Sequence, residues 1–142
     1  MSEETIAAIM REFAKTLEEG DIDKALSFFT DDGAWITPIG TFKGKDEIRR
    51  YLSSEYMKGL TITEVGNGII VKGDKAFFEH VVVTTIEGKR AESLVFCAYE
   101  FKDGKIQETR TVYDRLLIAQ QVVKGWLKKT IVNSIVKQSE EL

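Results

Sequence analysis

Two ionisable side chains in the second half of the sequence are placed where they could transfer protons, the single histidine His80 and the aspartate Asp114. Histidine titrates near neutral pH and can serve as an acid, a base or a hydrogen-bond donor. A carboxylate in apolar surroundings has its pKa raised towards neutrality, which suits a general base. These residue types support proton transfer on a small molecule, and we expect no cofactor.

Each of these residues also has a structural interpretation. Asp114 stands one position before a helical run, and aspartate is a favoured helix N-cap. A lone histidine on a strand can be a core residue whose ring hydrogen-bonds a neighbour. The sequence leaves both alternatives open for His80 and for Asp114.

Further candidate contacts follow from the alternation of side chains along strands. On the strand-like run 75–87, Val82 and Thr84 share a face with His80. Two later runs each add a pair of polar or aromatic side chains. These pairs are Cys97 with Tyr99, and Thr111 with Tyr113.

The tyrosine hydroxyls and the cysteine thiol differ in the chemistry that they could contribute. The hydroxyls of Tyr99 and Tyr113 could donate to a bound carbonyl, although a strand tyrosine is more often part of the core. Cys97 is the only cysteine, so no disulfide within the chain and no multi-cysteine metal site can form. No neighbouring base activates its thiol. With a single histidine as well, we expect no metal site.

The composition is that of a globular domain. Hydrophobic residues make up 43% and charged residues 30% of 142 positions, which fits a single domain spanning residues 1–142. The net charge of −3 gives no electrostatic reason to bind nucleic acid. The N-terminus is acidic where a signal peptide is basic, and no apolar run reaches the roughly 20 residues that cross a bilayer. We expect a cytoplasmic protein that binds neither nucleic acid nor membranes.

The first part of the chain has helical periodicity. Three helices are predicted, at residues 3–19, from Asp21 to about Phe29, and at about 45–57. Between the second and the third, residues 30–33 indicate a turn, and residues 34–37 a short strand that ends before Pro38.

From residue 60 onwards the hydrophobic periodicity changes to the two-residue repeat that is typical of strands. Four strand-like runs follow, at residues 60–71, 75–87, 90–102 and 105–113. Short glycine-containing links between them imply antiparallel hairpins. Gly66 and Gly68 interrupt the first of these strands and predict a bulge or bend that curls the sheet.

Residues 115–142 are predicted to form a helical extension, in which Gly125 marks a kink or a break. Its apolar row is Val123, Leu127, Ile131 and Ile135. The predicted fold class is α+β, with a cone-shaped, curved antiparallel sheet, helices packed on one face and this C-terminal helix. The concave side of such a sheet encloses either a packed core or a pocket.

Three stretches of the first half stand out as motifs, residues 19–23 (Glu-Gly-Asp-Ile-Asp), 28–35 (Phe-Phe-Thr-Asp-Asp-Gly-Ala-Trp) and 44–48 (Gly-Lys-Asp-Glu-Ile). A later one comprises residues 103–106, then 113–116 and 120–121. Together they resemble the nuclear transport factor 2-like superfamily, and within it the SnoaL-like polyketide cyclases and the ketosteroid isomerases. The resemblance covers roughly residues 5–123 and implies the cone-shaped fold, which hosts both enzymes and binding proteins.

The resemblance to ketosteroid isomerases does not extend to their catalytic residues. Thr37 stands where those enzymes carry a catalytic aspartate, Phe13 aligns with their oxyanion-hole tyrosine, and Cys97 aligns with their protonated aspartate. Threonine cannot replace a carboxylate base, so that mechanism is not expected. The SnoaL-like cyclases are more similar, and Asp114 matches the late aspartate with which they abstract a proton next to a carbonyl.

The family register also implies a pocket. It places His80 on the concave face and turns Trp35 and Thr37 inward from the first strand. The implied ligand contacts are Trp35, Thr37, Val82, Thr84, Cys97, Tyr99, Thr111 and Tyr113, with Asp114 and His80 as catalytic candidates.

Three functions remain open. The first is an enzyme that acts on a small apolar, carbonyl-bearing molecule by cofactor-free proton transfer. The second is a ligand-binding protein without turnover, which the missing isomerase residues favour. The third is an interaction module in which the apolar row of the tail contributes to a homodimer, a common arrangement for symmetric assemblies.

Overall fold

Five helices and a six-stranded sheet make up the computed structural model, which describes residues 1–141. The helices are α1 (Glu3–Glu19), α2 (Ile22–Ser27), α3 (Gly44–Leu52), α4 (Arg115–Val122) and α5 (Trp126–Glu140). The strands are β1 (Phe29–Thr37), β2 (Gly40–Lys43), β3 (Thr61–Lys72), β4 (Lys75–Ile86), β5 (Lys89–Lys102) and β6 (Lys105–Tyr113). The predicted domain runs to Leu142, which lies outside the described residues.

The sheet has the strand order β2-β1-β6-β5-β4-β3 and is curved and unclosed. Strands β3 to β6 form the predicted antiparallel hairpins. One pair differs from the predicted antiparallel arrangement, because β1 pairs with β6 in parallel and the sheet is therefore mixed. Hairpin reasoning applies only to strands that follow one another, and β1 is separated from β6 by α3 and four strands. The α+β class and the curved sheet are confirmed.

The first strand is longer than predicted. Residues 30–33, predicted as a turn, belong to β1, and its pairing with β6 shifts register between Phe29 and Ala34. Gly33 lies so close to the backbone there that a Cβ would be 3.2 Å from the carbonyl oxygen of Ile106. Residues 30–33 are polar and have the composition of a turn. They belong to a strand only because the chain pairs with β6 there.

Two further element boundaries, one after Thr37 and one at the end of α3, also differ from the prediction. The chain reverses after Thr37 and adds β2, which pairs with β1 from Gly40 to Lys43. The third helix ends at Leu52 rather than near residue 57, and a separate 3-10 turn covers Glu55–Met57. The side chains of Tyr51 and Leu52 are buried at this helix end, so packing fixes where the helix stops.

The predicted irregularity of the first long strand is confirmed. The register between β3 and β4 shifts between Glu64 and Ile69, where Gly66 and Gly68 have positive φ angles of 57° and 60°. The carboxylate of Glu79 accepts a hydrogen bond from the backbone N–H of Asn67 at 2.9 Å and so fills the gap that the bulge leaves in the ladder.

An aromatic cluster fixes α1 to the concave face of the sheet. The Phe13 ring is completely buried, and its centroid lies 5.4 Å from that of Phe28, 5.6 Å from Phe29 and 5.8 Å from Trp35. Tyr51 of α3 packs edge-on against Trp35 at 5.1 Å. Aromatic side chains bury large apolar areas, so this cluster supplies much of the core.

The tail is two helices rather than one, because the chain breaks before Gly125, whose φ is 88°. The predicted break is therefore confirmed. None of the residues of α5 is buried. No helix within residues 1–141 combines the length and hydropathy needed to cross a bilayer.

Substitution of the bulge glycine tests this account of the sheet. We expect Gly66→Ala to lower the free energy of unfolding by about 2 kcal/mol, of which about 1 is backbone strain at positive φ and about 1 is the lost Asn67–Glu79 hydrogen bond. The new Cβ would collide with the Glu79 carboxylate. Gly73→Ala is the matched control, because its φ is 62° and its Cβ would meet nothing within 4 Å. Urea unfolding that shows equal losses would contradict the role of Glu79.

Candidate functional site

A cavity of about 90 Å³ lies on the concave side of the sheet. Inward-facing side chains of β4 and β5 form the largest part of its wall, α1 contributes Phe13, Ala14 and Leu17, and α4 contributes Ile118. On the same volume scale a single water molecule needs roughly 10–15 Å³, so this cavity is large enough for a small organic molecule. The concave face therefore holds both a packed core around Phe13 and an open cavity beside it.

Eight of the ten predicted site residues lie along this cavity. They are Trp35, His80, Val82, Thr84, Cys97, Tyr99, Thr111 and Tyr113. The alternation of β4, β5 and β6 brings them together, since each strand turns every second side chain towards the concave side. The other two, Thr37 and Asp114, are not among the lining residues.

Thr37 has a structural position in the β1–β2 turn. Its Oγ1 donates to the carbonyl oxygen of Gly40 at 2.9 Å and accepts from the N–H of Ile39 at 3.2 Å. Both capacities of the hydroxyl are used within the turn. These contacts give Thr37 a role in closing the hairpin, and its predicted contact with a ligand stays a prediction.

Asp114 lies on the surface at the start of α4. Its Oδ1 accepts a hydrogen bond from the N–H of Leu117 at 3.0 Å, the geometry of an N-cap. The chain leaves the sheet directly after Tyr113, so the carboxylate points along the new helix rather than into the cavity. The structure shows the cap interpretation and does not bring Asp114 to the other candidate residues.

His80 is buried in the cavity wall with 5% of its surface exposed. Its Nδ1 lies 3.3 Å from the carbonyl oxygen of Phe78, and its ring stacks on the Phe78 ring at 4.1 Å. A carbonyl can only accept, so Nδ1 carries the proton and Nε2 keeps a lone pair. Burial lowers the pKa of His80 to about 4, against the smaller opposing effect of the Phe78 carbonyl. The ring is therefore neutral at pH 7.

Trp35 is held in place by a short chain of hydrogen bonds. Its Nε1–H donates to Thr111 Oγ1 at 2.8 Å, and this hydroxyl also lies 3.2 Å from the Sγ of Cys97. Burial raises the pKa of the Cys97 thiol to about 11, so the thiol stays protonated at neutral pH. These polar groups satisfy one another, and Cys97 is not a nucleophile.

The two predicted tyrosines keep their hydroxyl protons. Burial raises the pKa of Tyr99 well above its ordinary value, and burial also raises the pKa of the half-buried Tyr113. Both side chains can therefore act as donors at any physiological pH.

Thr84 carries a hydroxyl that nothing satisfies. The residue is 8% exposed, and its Oγ1 has no hydrogen-bond partner within residues 1–141. A buried polar group without a partner costs about 1–3 kcal/mol. Next to it in the wall, the Oγ of Ser93 does have a partner, because it donates to the carbonyl oxygen of Leu94 at 3.1 Å. An unpaired hydroxyl in an apolar wall is the arrangement that a polar ligand atom would complete.

Several lining residues were not anticipated from the sequence. Ser93 could have been found, because it alternates with Cys97 and Tyr99 on the same strand. Tyr56 could not, since it lies in the 3-10 turn where a helix was predicted, and Ile118 reaches the cavity only through the packing of α4. Within residues 1–141, no three His, Cys, Asp or Glu side chains cluster as metal ligands do.

The lowered pKa of His80 makes stability depend on pH. The unfolded chain protonates this ring below about pH 6.5 and the folded chain only below about pH 4, so the unfolded state binds more protons between these values. Stability present above pH 6.5 is therefore lost as the pH falls. At about 1.4 kcal/mol per pKa unit, the wild type should lose about 2 kcal/mol more than His80→Gln between pH 7 and pH 5. Urea unfolding at both pH values measures this, and identical losses would contradict the neutral, buried ring.

Comparisons with known proteins place this geometry in a family. The model of the SnoaL-like domain matches residues 10–109. No curated protein matches the sequence of the chain significantly.

Solved structures share the fold at low identity. A protein of ketosteroid isomerase-like fold from Catenulispora acidiphila, in complex with trimethylamine, aligns with a TM-score of 0.72 and 17% identity over 80% of this chain and 90% of its own. An NTF2-like protein from Burkholderia xenovorans gives 0.72 and 18% over 87% of this chain and 99% of its own. The epoxide hydrolase/cyclase-like enzyme SalBIII, which acts in pyran ring formation in the polyether salinomycin, gives 0.73 and 20% over 80% and 94%.

At this level of identity the solved structures show the fold alone. The family model adds a match over more than half of the chain. The resemblance to SnoaL-like domains predicted from the sequence motifs is confirmed, and the chain belongs to the SnoaL-like domain family.

Proposed function

We propose that this protein binds a small, mainly apolar molecule that carries a carbonyl group, in the cavity of the concave face. The observation that carries the proposal is the unpaired hydroxyl of Thr84 in a mainly apolar wall. Pockets of this kind take their affinity from apolar burial and their specificity from a few polar groups. A ligand carbonyl would accept the hydrogen bond that Thr84 lacks.

His80 supplies a complementary polar group. Because Nδ1–H is directed to the carbonyl of Phe78, Nε2 can accept a hydrogen bond from a hydroxyl or N–H of the ligand. A ligand with both a carbonyl and a donor would therefore satisfy Thr84 and His80 together.

Proton-transfer catalysis is a narrower version of the same proposal. With Asp114 occupied as a cap, the lone pair of His80 Nε2 is the base that the cavity offers. A base whose pKa is about 4 abstracts a proton efficiently only from a strongly activated carbon acid, such as a CH group between two carbonyls. The geometry supports binding best and restricts any catalysis to that class of substrate. The cyclase-like name of one structural neighbour is in line with such chemistry.

Removal of the Thr84 hydroxyl tests the binding proposal. We expect Thr84→Val to weaken the binding of prodan, a fluorescent naphthalene that carries a ketone, by about tenfold, because one hydrogen bond is worth about 1.4 kcal/mol. Phenylnaphthylamine, which has no carbonyl, should bind wild type and variant equally. The variant should remain folded, since valine keeps the shape and removes an unsatisfied group. Equal prodan affinities would rule out the hydrogen bond, and no binding of either probe to the wild type would refute the ligand site.

We also propose that the protein forms a homodimer in which α5 packs on the outer face of the partner's sheet. Exposed apolar side chains occur on both surfaces within one chain. On α5 they are Trp126, Leu127, Ile131 and Ile135, and on the outer sheet face they are Ile70, Phe77, Leu94 and Val112. Apolar patches of this kind on a folded domain are characteristic of interaction sites.

The charged side chains of the two surfaces differ in how they are paired. Helix α5 carries Lys128, Lys129 and Lys137 and has one acidic residue, Glu140, at its end. Strands β5 and β6 direct Glu92, Glu100 and Glu108 to the outer face by alternation, where they pair with Arg90 and Arg110 of the same chain. The two surfaces therefore match through their exposed apolar side chains, because the carboxylates of the sheet already have partners within the chain.

Charged substitutions in the apolar row test the dimer. We expect Ile131→Glu combined with Ile135→Glu to convert a dimer into a monomer, because buried carboxylates without partners are strongly disfavoured at an interface. Lys129→Glu is the matched control on the same helix, because Lys129 is exposed on the side opposite the apolar row, and it should leave the mass unchanged. Light scattering over a range of concentrations measures the mass. A wild type that is monomeric, or a double variant that stays dimeric, would contradict the proposed interface.

A further inference from the structure

A second cavity adjoins the first at the start of α4. Its volume is about 180 Å³. The two cavities share four lining residues, Tyr56, Ile86, Tyr113 and Ile118. A molecule larger than the inner cavity would therefore extend past these side chains into the outer one.

The outer cavity contains a charge that the inner one lacks. Arg115, the first residue of α4, lines it, and among the residues that the structure describes along either cavity it is the only side chain with a full charge. No aspartate or glutamate lines these two spaces in the described part of the chain. An anionic group of a ligand would meet a cation here and no competing carboxylate in the wall.

The guanidinium of Arg115 has unused donor capacity. Its Nη1 donates to the carbonyl oxygen of Pro38 at 3.3 Å, and it forms no salt bridge within residues 1–141. Arginine has five N–H donors in a planar fork that matches a carboxylate or sulfonate. The neighbouring Asp114 forms no ion pair with this fork among the described residues, and its Oδ1 accepts the capping hydrogen bond from Leu117.

We propose that the ligand of this site is an amphipathic acid. Its apolar body occupies the inner cavity next to Thr84 and His80, and its acidic group binds Arg115 in the outer cavity. This inference rests on the proposed function and narrows it, because it specifies the class of molecule and the end by which it is held. The polar end lies at the mouth, where water also reaches it, and the apolar end is enclosed.

A pair of fluorescent probes that differ in one acidic group tests the inference. Anilinonaphthalene sulfonate carries the acid, and phenylnaphthylamine has the same rings without it. We expect Arg115→Gln to weaken the sulfonate at least tenfold and to leave phenylnaphthylamine unchanged, with Arg115→Lys in between. Higher salt should weaken only the sulfonate.

Two further variants locate the probes. Val82→Trp fills the inner cavity and should abolish the binding of both probes, whereas Lys128→Gln removes a cation of α5 away from the site and should affect neither. If Arg115→Gln leaves the sulfonate affinity unchanged, or weakens both probes equally, the acid-binding role is overturned while the apolar site stands. If phenylnaphthylamine does not bind the wild type, the proposed function itself fails and this inference with it.

Discussion

The packing of Phe13 against the aromatic residues of β1 is the interaction on which the rest of this structure depends. The curved sheet needs a partner for its concave face, and α1 provides it through one fully buried ring in contact with Phe28, Phe29 and Trp35. This cluster fills one part of the concave side. It stops short of the last residues of β4 and the first residues of β5, and the cavity extends between them and α1.

The cavity wall has a region whose polar side chains are hydrogen-bonded to one another and a region, called here the unsatisfied region, in which hydrogen-bonding groups lack partners. Next to the aromatic cluster, Trp35, Thr111 and Cys97 are linked by hydrogen bonds, so this region is rigid and chemically inert. Further along the wall, Thr84 has no partner in the described residues, and His80 uses only one ring nitrogen. On burial such groups lose the hydrogen bonds that they make with water, and a bound ligand can replace those hydrogen bonds. The unsatisfied region therefore marks where a molecule would be recognised.

Helix α4 packs across the end of the sheet, at the opening of the cavity. Strand β5 extends beyond β6, whose pairing with it begins at Val95, so Glu92 has β4 on one side and no strand on the other. The side-chain amide of Gln121 takes the place of a strand, accepting from the Glu92 N–H at 2.8 Å and donating to its carbonyl oxygen at 2.9 Å. This contact holds α4 across the end of the sheet, which brings Ile118 to the inner cavity and Arg115 to the outer one.

The sequence by itself determined the elements that depend on local chemistry. Alternating β4, β5 and β6 placed His80, Thr84 and Tyr113 on a common face because side chains on a strand alternate with a fixed period. Glycines at positive φ located the bulge of β3 and the break before α5. Short family motifs identified the fold.

Only the tertiary structure decided the features that depend on residues distant in sequence. The parallel pairing of β1 with β6 turned an apparent turn into a strand, and the N-cap hydrogen bond took Asp114 away from the cavity. Whether a hydroxyl such as that of Thr84 is satisfied depends on every neighbour that folding brings near it. Local patterns thus predicted which side chains face inward, whereas long-range packing determined which of them remain free to meet a ligand.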